Sequence, residues 1–189
     1  MATTIRRIVL VLIGLIIVGG IWYQVRGAGH KSTAAVKPAA QLTTASVGIT
    51  AGHRFPSLTL PTTDSKTMSI DAVLGRKPLY VNIWASWCPP CQMETPDIIK
   101  AQKKYGDKVD FISINATTQD SVANAEAFMK KYGVDYPAAL DKNGEALTKL
   151  AIVGLPTSFF VDRTGKITDV VVGYILPQQL ETNLQKISG

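Results

Sequence analysis

One stretch of the chain, residues 79–96, limits the possible folds more than any other; it reads LYVNIWASWCPPCQMETP. Its first part, from Leu79 to Trp84, is a run of apolar and β-favouring residues, which is the pattern of a buried strand. A Trp-Cys-Pro-Pro-Cys sequence follows within a few residues. The stretch therefore predicts a strand, a tight turn and the start of a helix in immediate succession.

Two consecutive prolines mark the start of that helix. Pro89 and Pro90 lack backbone N–H donors, but the first turn of a helix leaves its N–H groups unpaired, so prolines there cost little and fix φ. Cys88 is thereby predicted at the helix N-terminus, where the helix dipole favours a thiolate over a thiol. Cys91 lies three residues on, on the same helical face and within reach of a disulfide. We predict Cys88 as the nucleophile and Cys91 as the resolving thiol.

Other features of the sequence strengthen the signal of the two cysteines. A lone Cys-X-X-Cys is weak, but one preceded by a strand and a Trp, and followed far downstream by Pro-Thr, is strong. The features are Trp87-Cys88-Pro89-Pro90-Cys91, Glu94 with Pro96, Gly154-Leu155-Pro156-Thr157, and a helical insertion between them. From about Ala51 to Gly189 the chain resembles the thioredoxin superfamily, and within it the membrane-tethered ResA/TlpA-like thiol-disulfide oxidoreductases.

The resemblance implies an α/β, thioredoxin-like fold. Its central mixed sheet would be flanked by helices, with an N-terminal β-hairpin and a central strand-helix insertion at residues 115–152. The resemblance also places Trp87, Leu155 and Pro156 at the substrate-binding face. It implies that Pro156 is cis and faces the cysteines, although an ordinary X-Pro bond is cis only about 5% of the time. The backbone of Leu155 would then pair with an extended substrate segment.

The sequence departs from plain thioredoxins at one informative position. Thioredoxins carry a buried Asp in the strand before the motif, as proton acceptor for the second cysteine, whereas this chain has Asn82, which cannot ionise. Glu94 lies three residues after Cys91 on one helical face and matches a glutamate of ResA-like proteins. The residues alone also allow Glu94 to be merely an acid stabilised by the helix dipole. The resemblance favours the catalytic role.

The insertion either shapes what docks above the cysteines or only covers the sheet, and the sequence leaves both open.

The remaining elements follow from periodicity and turn residues. The predicted elements are an edge hairpin from Phe55 to Ile70, a short helix from Ser69 to Leu74, the motif helix ending at Tyr105, a strand from Val109 to Asn115, a helix from Ser121 to Tyr132, a strand from Tyr136 to Leu140, a helix from Glu145 to Ile152, strands from Ser158 to Val161 and Lys166 to Val172, and a helix from Gln178 to Ile187.

The first fifty residues carry the excess charge and a membrane signal. Met1 to Arg7 is basic and Ile8 to Tyr23 is an uncharged apolar run, so residues 1–26 are predicted to be a membrane anchor or a signal peptide. Residues 27–50 are rich in Ala, Thr, Ser and Gly and predict a flexible linker. Arginines before the apolar run favour a single-pass protein of the cytoplasmic membrane with its N-terminus inside and residues 51–189 outside, or a secreted domain if the segment is cleaved.

The net charge of +6 does not support a nucleic-acid-binding domain. Five of the 20 Lys and Arg residues lie within the first fifty positions, whereas all 14 Asp and Glu residues lie at or after Asp64. The predicted domain thus carries 15 basic and 14 acidic residues and is nearly neutral. A nucleic-acid reading would need a basic face on the domain, so we expect no such partner.

The favoured function is reduction of disulfides in exported proteins. Cys88 would attack a substrate disulfide, and Cys91, deprotonated with help from Glu94, would resolve the mixed disulfide. The oxidised pair would then need a membrane electron donor of the CcdA/DsbD type. For ResA-like proteins the substrates are exported proteins, notably apocytochromes c. We expect a monomer without cofactor.

Two other functions stay open at the sequence level. The same chemistry can run backwards, as an oxidant of exported proteins, because the sequence does not fix the reduction potential. A soft-metal carrier, for example for copper, is disfavoured because two cysteines supply too few ligands and a proline next to the motif discourages metal binding.

Overall fold

The computed structural model describes residues 49–136 and 138–189. The predicted anchor and nearly all of the predicted linker lie outside these residues. Within the described ranges, no helix has the length and apolar character needed to cross a membrane. In chain order the elements are β1 (Thr59–Pro61), β2 (Thr67–Ser69), β3 (Leu79–Trp84), α1 (Pro89–Tyr105), β4 (Asp110–Asn115), α2 (Val122–Tyr132), β5 (Ala138–Leu140), α3 (Glu145–Lys149), β6 (Thr157–Val161), β7 (Ile167–Val172) and α4 (Pro177–Ser188).

A five-stranded mixed sheet organises the domain, with strand order β5-β4-β3-β6-β7. The neighbours β3, β4 and β5 run parallel, whereas β6 pairs antiparallel with β3 and β7 with β6. Strand β3 is central and all six of its residues are buried, because it is paired on both edges and covered on both faces. The separate hairpin β1–β2 is antiparallel. The mixed sheet and the N-terminal hairpin that the resemblance implies are both confirmed.

Side chains of β3 alternate between two hydrophobic cores. Leu79 and Ile83 pack in a cluster with the N-terminal hairpin and the region of α3. Tyr80 packs on the opposite face, among apolar residues of α1 and α4. Trp84 shares that face and belongs to a third cluster, which contains both cysteines. Asn82 lies between Tyr80 and Trp84 in the alternation, so it points beneath the motif helix.

Two predicted helices differ from the structure. Residues Ser69 to Leu74 do not form a helix but a series of turns with Leu74 N–H bonded to the Ile70 carbonyl, and Gly75 then reverses the chain at φ +84°. The helix predicted from Glu145 to Ile152 ends at Lys149, because Ala151 adopts a left-handed φ of 43°. In both cases the helical segment is too short to be maintained by its own hydrogen bonds.

The predicted insertion adds a strand and a helix between β4 and β6. Strand β5 extends the sheet beyond β4, with Ser113 opposite Ala138 and Asn115 opposite Leu140. It begins two residues later than the predicted Tyr136. Helix α2 precedes β5 in the chain and helix α3 follows it.

Candidate active site

The two cysteines lie where β3 gives way to α1. Cys88 is the N-cap of α1 and the prolines occupy its first two positions, as predicted. Cys88 and Cys91 form a disulfide with a Cα–Cα distance of 5.3 Å. The backbone N–H of Cys91 points to Cys88 Sγ at 3.3 Å. This donor and the helix N-terminus would both stabilise a thiolate at Cys88 in the reduced protein.

Both sulfurs are shielded, but they are not equivalent. Cys88 and Cys91 are 2% and 1% exposed and pack in a cluster with Trp84 and Phe128, whose rings stack at 4.4 Å. Cys88 lines an open cleft of about 330 Å³, of whose lining Cys91 is not a part. A substrate sulfur that enters this cleft therefore meets Cys88 before Cys91.

The residue before the predicted cis-proline lies at the cleft of Cys88. The Leu155–Pro156 peptide bond is cis, as the resemblance implies. Leu155 packs against the cysteine cluster and lines the same cleft as Cys88. The Pro156 carbonyl accepts a hydrogen bond from Gly173 N–H at 2.7 Å, which ties the start of β6 to the end of β7. The structure thus brings Leu155 to the cleft, and Pro156 follows it in the chain.

Residues of the insertion form another side of this cleft. Gln119, Leu147 and Ile152 line it together with Trp87. The indole N–H of Trp87 donates to the Gln119 carbonyl at 2.7 Å, which fixes a ring that is 54% exposed. Of the two open readings of the insertion, the geometry therefore favours the one in which it shapes what docks above the cysteines.

Glu94 lies one helical turn beyond Cys91 and is 1% exposed. Its Oε1 accepts a hydrogen bond from Asn82 Nδ2 at 2.9 Å, and its Oε2 accepts one from the backbone N–H of Ile175 at 3.1 Å. Burial raises the pKa of Glu94 to about 7, although both donors lower it. A surface acid stabilised by the helix dipole would have the opposite shift. A carboxyl group that titrates near neutrality is suited to exchange a proton with a neighbouring thiol.

Asp120 is a site residue that the sequence did not reveal. The helix predicted from Ser121 is capped by Ser121, whose Oγ accepts a hydrogen bond from Asn124 N–H at 3.1 Å. The Asp120 carboxylate instead accepts hydrogen bonds from the N–H and the hydroxyl of Ser86, both at 2.7 Å, and from Asn115 Nδ2 at 2.9 Å. Asp120 follows β4 as Ser86 follows the parallel neighbour β3, and loops at the carboxyl ends of parallel strands meet at one edge.

We expect Asp120→Ala to lower the free energy of unfolding by about 1 to 3 kcal/mol, since it leaves the Ser86 N–H and the Asn115 amide without their acceptor. Burial raises the pKa of Asp120, but its hydrogen bonds outweigh this effect and hold the pKa below its ordinary value. The measurement is urea unfolding of the oxidised chain. Glu126→Ala, at an exposed position of α2, serves as the control and should change stability by less than about 0.5 kcal/mol. An equally small effect for Asp120→Ala would contradict the anchoring role.

Other features of the described ranges do not add to this site. In residues 49–136 and 138–189, no group of three or more His, Cys, Asp or Glu side chains is placed to hold a metal ion. A larger cleft, of about 630 Å³, lies away from the cysteines and is lined by residues such as Arg76, Gly106 and Asp110.

Comparison with known proteins agrees with this geometry. The family model described as Redoxin matches residues 50–185. The thiol-disulfide oxidoreductase ResA of Bacillus thuringiensis subsp. konkukian is 33% identical over 139 residues, which cover 72% of this chain and 78% of ResA. The thioredoxin-like protein YneN of Bacillus subtilis is 33% identical over 139 residues, 73% of this chain and 81% of YneN.

A solved structure supports the same fold. It is that of a thiol:disulfide interchange protein, a thioredoxin family protein from Chlorobium tepidum TLS, with a TM-score of 0.62 and 27% sequence identity. The similarity covers 76% of this chain and 99% of that one. These similarities confirm the thioredoxin-like fold and the resemblance to ResA-like proteins. The chain belongs to the Redoxin family.

Proposed function

We propose that this thiol-disulfide oxidoreductase reduces disulfide bonds of exported proteins, among them apocytochromes c, on the outer side of the cytoplasmic membrane. The observation that carries the exchange chemistry of the proposal is the position of Glu94, and its direction is proposed from the resemblance to ResA-like proteins. This buried carboxyl group lies one helical turn from Cys91, with a pKa raised by burial to about 7. It is therefore placed to take the proton of Cys91 in the step that releases the reduced substrate.

The proposed reaction has two exchange steps. In the first, the Cys88 thiolate attacks one sulfur of the substrate disulfide, which breaks the substrate S–S bond and releases the other sulfur as a thiolate. In the second, Cys91 gives its proton to Glu94 and attacks Cys88 Sγ, which breaks the mixed disulfide and releases the second substrate thiolate. Two electrons pass from the cysteine pair to the substrate. The product is the Cys88–Cys91 disulfide of the structure.

Exposed apolar side chains around the cleft support a protein as substrate. In the described part, the large hydrophobic residues that are more than half exposed are Trp87, Met93, Val153, Val172 and Leu176. Trp87 and Val153 line the cleft of Cys88. Val172 lies opposite Thr157, next to the cis-proline, and Leu176 follows the residue that binds Glu94. Exposed apolar side chains beside a reactive cysteine are typical of a surface that binds another protein.

The membrane location and the electron donor are proposed from the sequence. The apolar run within residues 1–26 would anchor the chain, with the domain outside. An oxidised pair on that side of the membrane needs a two-electron donor, and a membrane protein of the CcdA/DsbD type would supply it. An oxidant of exported proteins would use the same residues in the reverse direction.

The reduction potential distinguishes the two directions. We expect equilibration of the full chain in dithiothreitol or glutathione buffers to give a potential of roughly −270 mV or below, in the range of thioredoxin. The fraction of reduced Cys88 can be followed by alkylation and mass determination. A potential of roughly −120 mV would make the protein an oxidant and would contradict the proposed direction.

A further inference from the structure

A neutral side chain stands where plain thioredoxins carry an acid. Asn82 is in the centre of β3 and is 4% exposed. Its Nδ2 donates to Glu94 Oε1 at 2.9 Å, a hydrogen bond between the central strand and the motif helix. Asn82 is thus in direct contact with the group to which we assign proton transfer.

The surroundings hold both side chains in place. Nδ2 of Asn82 also lies 3.3 Å from Ser158 Oγ, and that oxygen is 2.9 Å from the Tyr80 hydroxyl. The other oxygen of Glu94 is bound by the backbone N–H of Ile175, in the segment before α4. The carboxyl group is therefore held from two sides, by a strand and by a loop that is remote in sequence.

No described cation competes with Asn82 for the carboxyl group. Among residues 49–136 and 138–189, the hydrogen bonds to Glu94 come from the Asn82 amide and from the Ile175 backbone. The titratable groups whose charge acts on the same region are Tyr80 and Tyr136, and burial raises the pKa of both phenols. Both therefore stay neutral in the range where Glu94 titrates, and neither supplies a positive charge.

We propose that Asn82 is a positioning residue, whose side-chain amide holds the Glu94 carboxylate in the orientation in which it accepts the proton of Cys91. The inference rests on the proposed role of Glu94. An aspartate in the place of Asn82 would bring a second carboxylate to about 2.9 Å from that of Glu94. Two carboxylates at so short a distance do not both ionise. An amide supplies a donor without adding a charge. The acid Glu94 on α1 thus has a neutral hydrogen-bond donor, Asn82, on β3.

The test separates the two exchange steps. The reduced full chain is mixed rapidly with dithiobis(nitrobenzoate), whose coloured thiolate is released once when Cys88 attacks and again when Cys91 resolves the mixed disulfide. We expect Asn82→Leu, which keeps a branched side chain but removes the donor, to move the pH midpoint of the second phase upward by about one to two pH units. The pH dependence of the first phase should be unchanged, because Asn82 acts through Glu94.

A matched control lies on the neighbouring strand. Ser113 is the register partner of Asn82 on β4 and is 2% exposed, and its hydroxyl has no hydrogen-bond partner among the described residues. Ser113→Ala should leave the midpoint in place. If Asn82→Leu does not fold, Asn82→Asp keeps the shape, and its second carboxyl group should also move the midpoint upward.

The outcomes separate this inference from the proposed function. If Glu94→Gln removes the pH midpoint of the second phase and both Asn82 variants leave it in place, the positioning role is wrong while the role of Glu94 stands. If Glu94→Gln leaves the pH profile unchanged, the proposed roles of Glu94 and Asn82 are both wrong. A purely structural role of Asn82 would slow both phases at every pH without moving the midpoint, and this result too would overturn the inference.

Discussion

Replacing Cys88 by serine is expected to lower the rate of disulfide exchange by at least about three orders of magnitude. A serine hydroxyl stays protonated at neutral pH and is a far weaker nucleophile toward sulfur than a thiolate. The loss should be large because Cys88 is the N-cap of α1, receives the Cys91 N–H and lines the cleft. The measurement is reduction of a disulfide-bonded peptide by the full chain, with dithiothreitol as electron source.

Cys91→Ser provides the contrast for this prediction. This variant keeps the nucleophile, so it should react with the peptide once and then accumulate as a mixed disulfide that mass spectrometry detects. Cys88→Ser should form no such species. The reverse pattern, with adducts on Cys91 and none on Cys88, would exchange the two assignments and would contradict the burial of Cys91 behind the cleft.

Local features of the sequence predicted much of the fold. The buried strand β3 and the end of α1 at Tyr105 are as predicted, because each depends on neighbouring residues. Short segments were less predictable. The six residues from Ser69 to Leu74 form turns, and α3 ends at Lys149, since so few residues make too few helical hydrogen bonds to decide the conformation without their tertiary contacts.

The site was predictable where its residues are close in sequence. Cys88, Cys91 and Glu94 lie within two helical turns, and the spacing alone puts them together. The contacts of Ile175 and Asp120 depend on which strands are neighbours in the sheet, which no local pattern specifies. The sequence indicated only that Asn82 cannot ionise. The hydrogen bond from Asn82 to Glu94 depends on the position of β3 beneath α1, which the local sequence does not specify.

Glu94→Gln is expected to slow the resolving step near neutral pH by about a hundredfold or more, the usual contribution of a positioned acid or base. The variant keeps the size of the side chain and cannot take the Cys91 proton. The first step, which releases one thiolate from the substrate, should keep its rate because it depends on Cys88. The two phases of the reaction with dithiobis(nitrobenzoate) measure both steps. An unchanged second phase would remove Glu94 from the mechanism.

The same substitution should change how stability depends on pH. The pKa of Glu94 is about 7 in the folded protein against an ordinary value of 4.5, so the folded state keeps a proton that the unfolded state loses. The stabilisation by this proton is complete below the ordinary pKa and is lost as the pH rises through about 7. Relative to the wild type, Glu94→Gln should therefore gain about 2 to 3 kcal/mol between about pH 5 and about pH 9.

Urea unfolding of the oxidised full chain at several pH values measures this gain, and Glu126→Gln, at an exposed position of α2, is the control. A glutamine cannot titrate, so whatever it gains or loses through altered hydrogen bonds to Asn82 and Ile175 is constant with pH. Only the change with pH in the stability difference between the two proteins reports the proton on the buried Glu94. Parallel stability curves for wild type and Glu94→Gln would mean that Glu94 keeps its ordinary pKa of 4.5 in the folded state, and a carboxylate with that pKa would be too weak a base to deprotonate Cys91.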